Sequence, residues 1–434
     1  MEVSMHTQII TSTWQNIINY FFPVFTTPTA NIFAALVSGW ILCTARRTVT
    51  GILPFAACFL PRPHDAFHRF FNNARWHLSL LWHTLTLLLV KTLCPTGTIN
   101  LDVDDTLFHR AGKHVQGASK WRDPVLSDLF TAFSRGLNLV VVTLRIKPPW
   151  GGEPIGLPIN MRLRLKDGPS HIELALQMLR EIEFWLPDRK FICHCDGFYT
   201  ALIRQKPEHM EIVSHMRKDA VIFDLPEPET RPRRGRRRVR GKALPKPPLL
   251  AQTVKQWKTV VVTERKHKRS VLIFSKPVIW YHVSKKPLLM VITRDPSGKR
   301  PDDFFVTTNL KMKPEKVIGG FSGRWSIEDT FKNTKQLLGG QQIQCFKRKG
   351  PERAAAMSFW LYSTVWLWYL KNKNTRGKLP KLPWYRKKKK PSFADALAGL
   401  RQQIWRERIN CMFDSHIDFE KIPKIIVNAL AYAA

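Results

Sequence analysis

Acidic residues are scarce in this chain, 33 Asp and Glu against 69 Lys and Arg, so the places where they gather carry information. Asp102, Asp104 and Asp105 fall in the stretch "TINLDVDDTLF" (98–108), and Asp196 follows the apolar run "KFICHC". Glu328 lies in "GRWSIEDTFKNTK" (323–335), between Arg324 and Lys335. Carboxylates gathered in a cleft repel one another and lose solvation. Divalent cations remove that cost, and Mg²⁺ prefers hard oxygen ligands. Two such ions about 4 Å apart are a common device for displacement at phosphorus. Phosphodiester cleavage is therefore the chemistry these acids suggest.

Each group also has a plainer reading. "DVDDT" suits the end of a strand with an Asx turn, and "CDGFY" suits a turn with Asp196 as a cap. Arg324 and Glu328, four apart, suit an ion pair on a solvated helix face. On one continuous helix, Phe321, Arg324, Glu328 and Lys335 share a face, because positions three, four and seven apart lie on one side. The three groups together, in this order, favour a shared site over three separate coincidences.

The elements that must position these acids follow from the pattern around them. Residues 1–95 read as helices, punctuated by Pro54, Pro61, Pro63 and Pro95. From Gly97 the texture turns to strands: 98–108, 137–146 and 154–165. An amphipathic helix over 171–187 follows, then a buried strand and a further helix over 190–205, and another strand region over 210–226. This alternation is a mixed α/β layout, in which ligands gather at the carboxyl ends of strands. A Pro- and Arg-rich segment, "EPETRPRRGRRRVRGKALPKPP" (227–248), reads as an exposed loop, because its like charges repel. Strands resume over 253–274, 277–283, 287–295 and 302–310. A basic linker (378–392) precedes a last helix over 393–409.

The net charge of +36 and the pI near 10.3 call for a polyanionic partner, nucleic acid first and an anionic membrane surface second. The N-terminus lacks a basic start followed by an apolar core, so no secretion signal is expected. The apolar stretch 354–370, seventeen residues long, is at the lower limit for a membrane span and reads better as a core helix. The seven cysteines are scattered, as in reduced intracellular chains. Strand alternation would send Cys193 and Cys195 one way and His194 the other, which argues against a metal site there.

Taken together, "LDVDDTLFHRAGKHVQGAS", "CDGFYTAL" and "GRWSIEDTFKNTKQLLGG" resemble the acidic blocks and the Tyr-Arg-Glu-Lys motif of insertion-sequence transposases of the Asp-Asp-Glu (DDE) class. The match runs over roughly residues 95–350, with Phe321 standing where the motif has tyrosine. The resemblance implies a ribonuclease-H-like mixed sheet interrupted by a β-rich insertion, with helical N- and C-terminal regions. The spacing of 132 positions from Asp196 to Glu328 (328 − 196) accommodates that insertion. The implied organisation is a helical, DNA-binding N-terminal domain (1–96), a first part of the catalytic core (97–226), the basic loop and insertion (227–315), the second part of the core (316–375) and a basic, helical C-terminal region (376–434).

The resemblance further implies that Asp104, Asp196 and Glu328 hold two Mg²⁺ ions, which Mn²⁺ can replace. The family pattern of an apolar residue, Asp, any residue and Thr or Ser favours Asp104 over Asp105, with Asp102 third. Arg324 and Lys335 would contact DNA phosphates near the cut, beside Phe321. Lys113 and the arginines Arg234, Arg236, Arg237 and Arg238 would add to DNA binding. Trp257, Trp280 and Tyr281 read as packing residues rather than as stacking platforms for an extruded base. The implied activity is cutting at the terminal inverted repeats of a mobile element and joining them to target DNA, by a homodimer that pairs two ends in a bacterial, nucleoid-associated cytoplasmic setting. The alternative is a transposase-derived DNA-binding protein without catalysis.

Overall fold

The computed structural model describes residues 13–123, 132–227, 238–264, 267–372, 376–377, 379 and 388–412. Five helices open the described chain: α1 (Trp14–Tyr20), α2 (Thr27–Leu42), α3 (Val49–Ala56), α4 (His64–Asn72) and α5 (Leu78–Leu93). Thr13 and Thr48 cap α1 and α3 by accepting from backbone N–H groups three residues on. Pro54 was expected to separate helices but lies inside α3.

The strands come next: β1 (Ile99–His109), β2 (Ser119–Arg122), β3 (Phe133–Ile146) and β4 (Ile155–Arg164). Helix α6 (His171–Trp185) crosses to β5 (Phe191–Cys195), and a 3₁₀ helix (Phe198–Gln205) leads to β6 (Met210–His215). A full capping box starts α6, with Ser170 and Glu173 each satisfying the other's backbone N–H. The order β4-β3-β1-β5-β6 has antiparallel pairing from β4 to β1 and parallel pairing from β1 to β6. That is the ribonuclease-H-like arrangement. β2, absent from the sequence reading, pairs with the start of β3.

Helix α7 (Pro247–Thr253), also unforeseen, precedes β7 (Lys258–Glu264), β8 (His267–Val278), β9 (Leu288–Arg294) and β10 (Asp303–Thr307). These strands continue the same sheet, because β10 pairs antiparallel with β6. The strand expected over 277–283 is the tail of β8, and a turn occupies 281–283.

Four helices complete the described fold: α8 (Pro314–Gly323), α9 (Trp325–Gln336), α10 (Gly350–Lys371) and α11 (Phe393–Met412). Nearly every residue of α10 is buried, so it needs no polar face. Trp360 on α10 receives the rings of Trp14, Phe21 and Phe33 from the N-terminal helices, and Ser363 donates to the Pro158 carbonyl of β4. Within the described residues no helix is long and apolar enough to cross a membrane. The N-terminal helices, α9, α10 and α11 share one hydrophobic core with the sheet, while Val317 and Ile318 of α8 join a second cluster against β6 to β10.

Candidate active site

β1 and β5 run parallel, with Val103 opposite Cys195. One residue further along, Asp104 and Asp196 stand side by side at the carboxyl end of β5. Alternation along β1 puts Asp102 and Asp104 on one face and Asp105 on the other.

The expected single helix is two. Arg324 separates α8 from α9, and tight i→i+3 hydrogen bonds run through the junction, from Arg324 N to Phe321 O and from Ile327 N to Arg324 O. Phe321 therefore belongs to the preceding helix. The break sits against a crowded sheet face. A Cβ on Gly320 would come within 2.6 Å of His194 Nε2, and one on Gly323 within 2.7 Å of Arg145 Nη1. The glycines of "IGGFSG" allow this approach.

Arg324 reaches across to the sheet. It donates to Asp104 Oδ2 at 2.5 Å and to Glu328 Oε1 at 3.1 Å, joining strand and helix. Its Nε is buried with no hydrogen-bond partner. Burial pushes the Asp104 carboxyl up to about 7; Arg324 opposes this, and Asp105 and Asp196 add to it. Asp196 accepts from the Phe198 and Tyr199 amides at 3.0 and 3.2 Å, an Asx-type turn one residue ahead of the cap position Gly197. The i,i+4 pair of Arg324 with Glu328 is present, but not on the solvated face expected of it, because Arg324 is buried, and the cap position before the 3₁₀ helix is Gly197 rather than Asp196.

Asp105 faces the other way. Tyr199 Oη donates to it at 3.0 Å, and His171 Nε2 lies 3.9 Å away. Burial raises its carboxyl, with His171 opposing. Asp102 is fully buried and belongs to a separate ion pair: Arg145 holds it through Nε and Nη2, Ser326 Oγ donates at 3.1 Å, and Arg145 Nη1 donates to the Gly320 carbonyl at 2.6 Å. This pair ties β1 and β3 to both helices of the junction.

Lys335 is half-buried, its ammonium 5.9 Å from the Phe108 ring centre, and burial lowers its pKa against an upward pull from Asp123. Phe321 packs on His215 and Phe305 and offers its ring to the Arg324 guanidinium at 5.6 Å. Lys113 and Arg238 are exposed. Arg234, Arg236 and Arg237 lie outside the described residues. Trp280 is buried, Trp257 is half-buried beneath the Arg294 guanidinium, and Tyr281 is partly exposed beside Arg240. Cys193, His194 and Cys195 are all buried, and the His194 ring bonds to the Leu101 carbonyl.

Sequence reasoning missed Arg145, Ser326, Tyr199 and His171. Arg145 had a signal, being a lone charge in the apolar run "LNLVVVTLRI", which calls for a buried partner.

Among the described residues, no three His, Cys, Asp or Glu side chains are close enough together to hold one ion. The donor chemistry nevertheless fits a hard divalent cation. Asp104, Asp196 and Glu328 offer only carboxylate oxygens, and the Arg324 cation bridges two of them.

A model of the DDE superfamily endonuclease family matches residues 20–273. The chain belongs to that family. The matched stretch includes Asp104 and Asp196 and ends 55 residues before Glu328 (328 − 273). Among solved structures, a piggyBac transposase, seen by cryo-electron microscopy as a synaptic complex with hairpin DNA, is similar at 9% identity and a TM-score of 0.46. That likeness covers 98% of this chain and 84% of the other. No curated protein sequence matches this one.

Proposed function

We propose that the chain is a DNA transposase that cuts phosphodiester bonds at the ends of a mobile element and joins those ends to target DNA. The observation that carries this reading is the meeting of Asp104 with Glu328 through Arg324, with Asp196 just past the end of the neighbouring strand and acting on the Asp104 carboxyl. Asp104, Asp196 and Glu328 would hold Mg²⁺ or Mn²⁺. Two such ions would supply activation of the attacking oxygen and neutralisation of the leaving one. Arg324 would then turn its guanidinium, already carrying an unpaired Nε–H, toward a DNA phosphate. Lys335, on the same helix as Glu328, would hold the backbone further along, and Asp105 stays with Tyr199 as a supporting group. The N-terminal helices, Lys113 and the arginines around Arg238 would track flanking DNA, its terminal inverted repeats and the target. A homodimer would bring two ends together in a bacterial cytoplasm.

The test uses the purified chain and a supercoiled plasmid carrying the DNA that flanks its own gene. Nicking is expected at defined ends in Mg²⁺ or Mn²⁺. Asp196→Ala and Glu328→Ala should abolish it while DNA binding stays intact. Unchanged cutting in both variants rejects the assignment, whereas binding without cutting in any divalent ion selects the non-catalytic alternative.

A further inference from the structure

A second polar feature lies at the far end of β1. Arg110 follows the last residue of that strand and is 5% exposed. Its Nη2 donates to the Gly340 carbonyl at 3.4 Å, but its Nε and Nη1 are buried without hydrogen-bond partners. A buried donor left without a partner is costly, more so when the group is charged, so two on one guanidinium need a reason. Arg110 lines a cavity of about 250 Å³ between the loop after β1 and the segment Ile343–Phe346 that follows α9. At ~30 Å³ per water, that space holds roughly eight waters, ample for a phosphate group.

The walls are ready for an anion. None of the lining residues is acidic. Cys345, on the cavity wall, has its thiol pushed up to about 12 by burial and stays neutral. Burial lowers Arg110 to about 10, which leaves it charged near pH 7. Exposed Lys113 stands on the rim, and so does Phe346 with Lys347 over its ring. The loop is fixed in place: Arg135 donates to the Gly112 and Lys113 carbonyls at 3.2 and 2.8 Å, and Gln116 N donates to Phe346 O at 2.9 Å.

We propose that this cavity is a phosphate-binding site, in which Arg110 turns its two unpaired, buried N–H groups toward the opening to grip a phosphate of the DNA backbone while Lys113 closes over it. A guanidinium fork matches two phosphate oxygens as a single ammonium does not. Six residues separate Arg110 from Asp104 along a strand rising about 3.3 Å per residue, so the site lies roughly 20 Å from the carboxylates, about six base-pair steps of DNA. It would anchor DNA beside the cut rather than take part in cutting. The inference rests on the reading of the chain as a DNA-cutting enzyme, but its test does not need catalysis.

The experiment measures binding of the full chain to a labelled duplex across a salt series in EDTA, for wild type, Arg110→Gln and Lys113→Gln. In parallel, thermal unfolding is followed in inorganic phosphate against chloride at equal ionic strength. Arg110→Gln is expected to weaken binding about tenfold and to lower the salt slope by about one; Lys113→Gln should lower the slope similarly with a smaller loss of affinity. Phosphate should raise the unfolding midpoint of wild type and not of Arg110→Gln. If Arg110→Gln does not fold, Lys113→Gln on the exposed rim carries the test. Unchanged DNA affinity and slope overturn the DNA assignment. If phosphate still protects in that case, the cavity serves a free phosphate compound, and without protection the site itself is refuted. Wild type that fails to bind DNA at all overturns the parent reading, and the phosphate arm then reports on the cavity alone.

Discussion

Asp102 and Asp104 stand two residues apart on one face of β1, and each meets an arginine, yet the two ion pairs are built for opposite ends. Arg145 spends two donors on Asp102 and its third on the Gly320 carbonyl, and Ser326 adds a hydroxyl. Every strong group in that pair is satisfied. Arg324 is divided between Asp104 and Glu328, with its Nε buried and unpaired, and Asp104 also feels Asp105 and Asp196. The first pair is a fixed joint between sheet and helices. In the second, one arginine is shared by two carboxylates and further acids press on Asp104, a setting in which an external cation has most to offer.

The largest effect that could break this contrast is on stability. Asp102→Ala leaves Arg145 buried and uncompensated and should cost about 3–5 kcal/mol in urea unfolding. Asp104→Asn removes one of several crowded carboxylates and should leave stability unchanged or higher, while abolishing nicking. Equal losses in the two variants would mean that Asp104 is as structural as Asp102.

A second measurement sharpens the same contrast through pH. With its carboxyl raised to about 7 from 3.8, Asp104 keeps its proton in the folded chain after the unfolded chain has released it. The sign follows: stability from this group is fully present below about pH 4 and is lost as pH rises through about 7, by at most about 4 kcal/mol. Asp104→Asn cannot lose it. Urea midpoints of wild type and variant should therefore lie close together near pH 4 and separate toward pH 8, with the variant the more stable. A gap independent of pH would show that Asp104 is ionised throughout.

The parts of this contrast differ in how far they could be read in advance. Strand alternation is local, so the acids of "LDVDDT" could be placed on β1 and Asp196 just after β5 from pattern alone, but the strand end expected at "DVDDT" is wrong, because β1 stays paired with β3 as far as His109. Their adjacency required only the parallel pairing implied by a crossover helix. The partnership of Asp102 with Arg145 depends on the β1–β3 pairing across 43 residues and on where the α8–α9 junction docks, and neither is a local property. The break at Arg324 was hidden for the same reason, because a helical pattern runs unbroken through it and only the crowding of Gly320 and Gly323 against the sheet reveals it. The free donors of Arg110 were the least legible, since satisfaction of a buried group is known only once all its neighbours are in place.

The smallest expected effect concerns the ring beside the looser arginine. Phe321 packs between His215 and Phe305 with the Arg324 guanidinium 5.6 Å from its centre. The residue is half-buried, so a hydroxyl at its tip gains at most one hydrogen bond, worth about 1 kcal/mol. Phe321→Tyr should leave the unfolding midpoint within about 1 kcal/mol of wild type. Its effect on nicking depends on which pair it touches. If Arg324 leaves Asp104 for a phosphate during cutting, a hydroxyl that binds the same phosphate adds to that state alone, and the rate should rise by up to about tenfold, the equivalent of about 1.4 kcal/mol. If Arg324 stays bound to Asp104 and Glu328 throughout, the hydroxyl has no changing partner and the rate should not move. Single-turnover nicking by the variant therefore reports whether the divided arginine lets go, the property that separates it from Arg145.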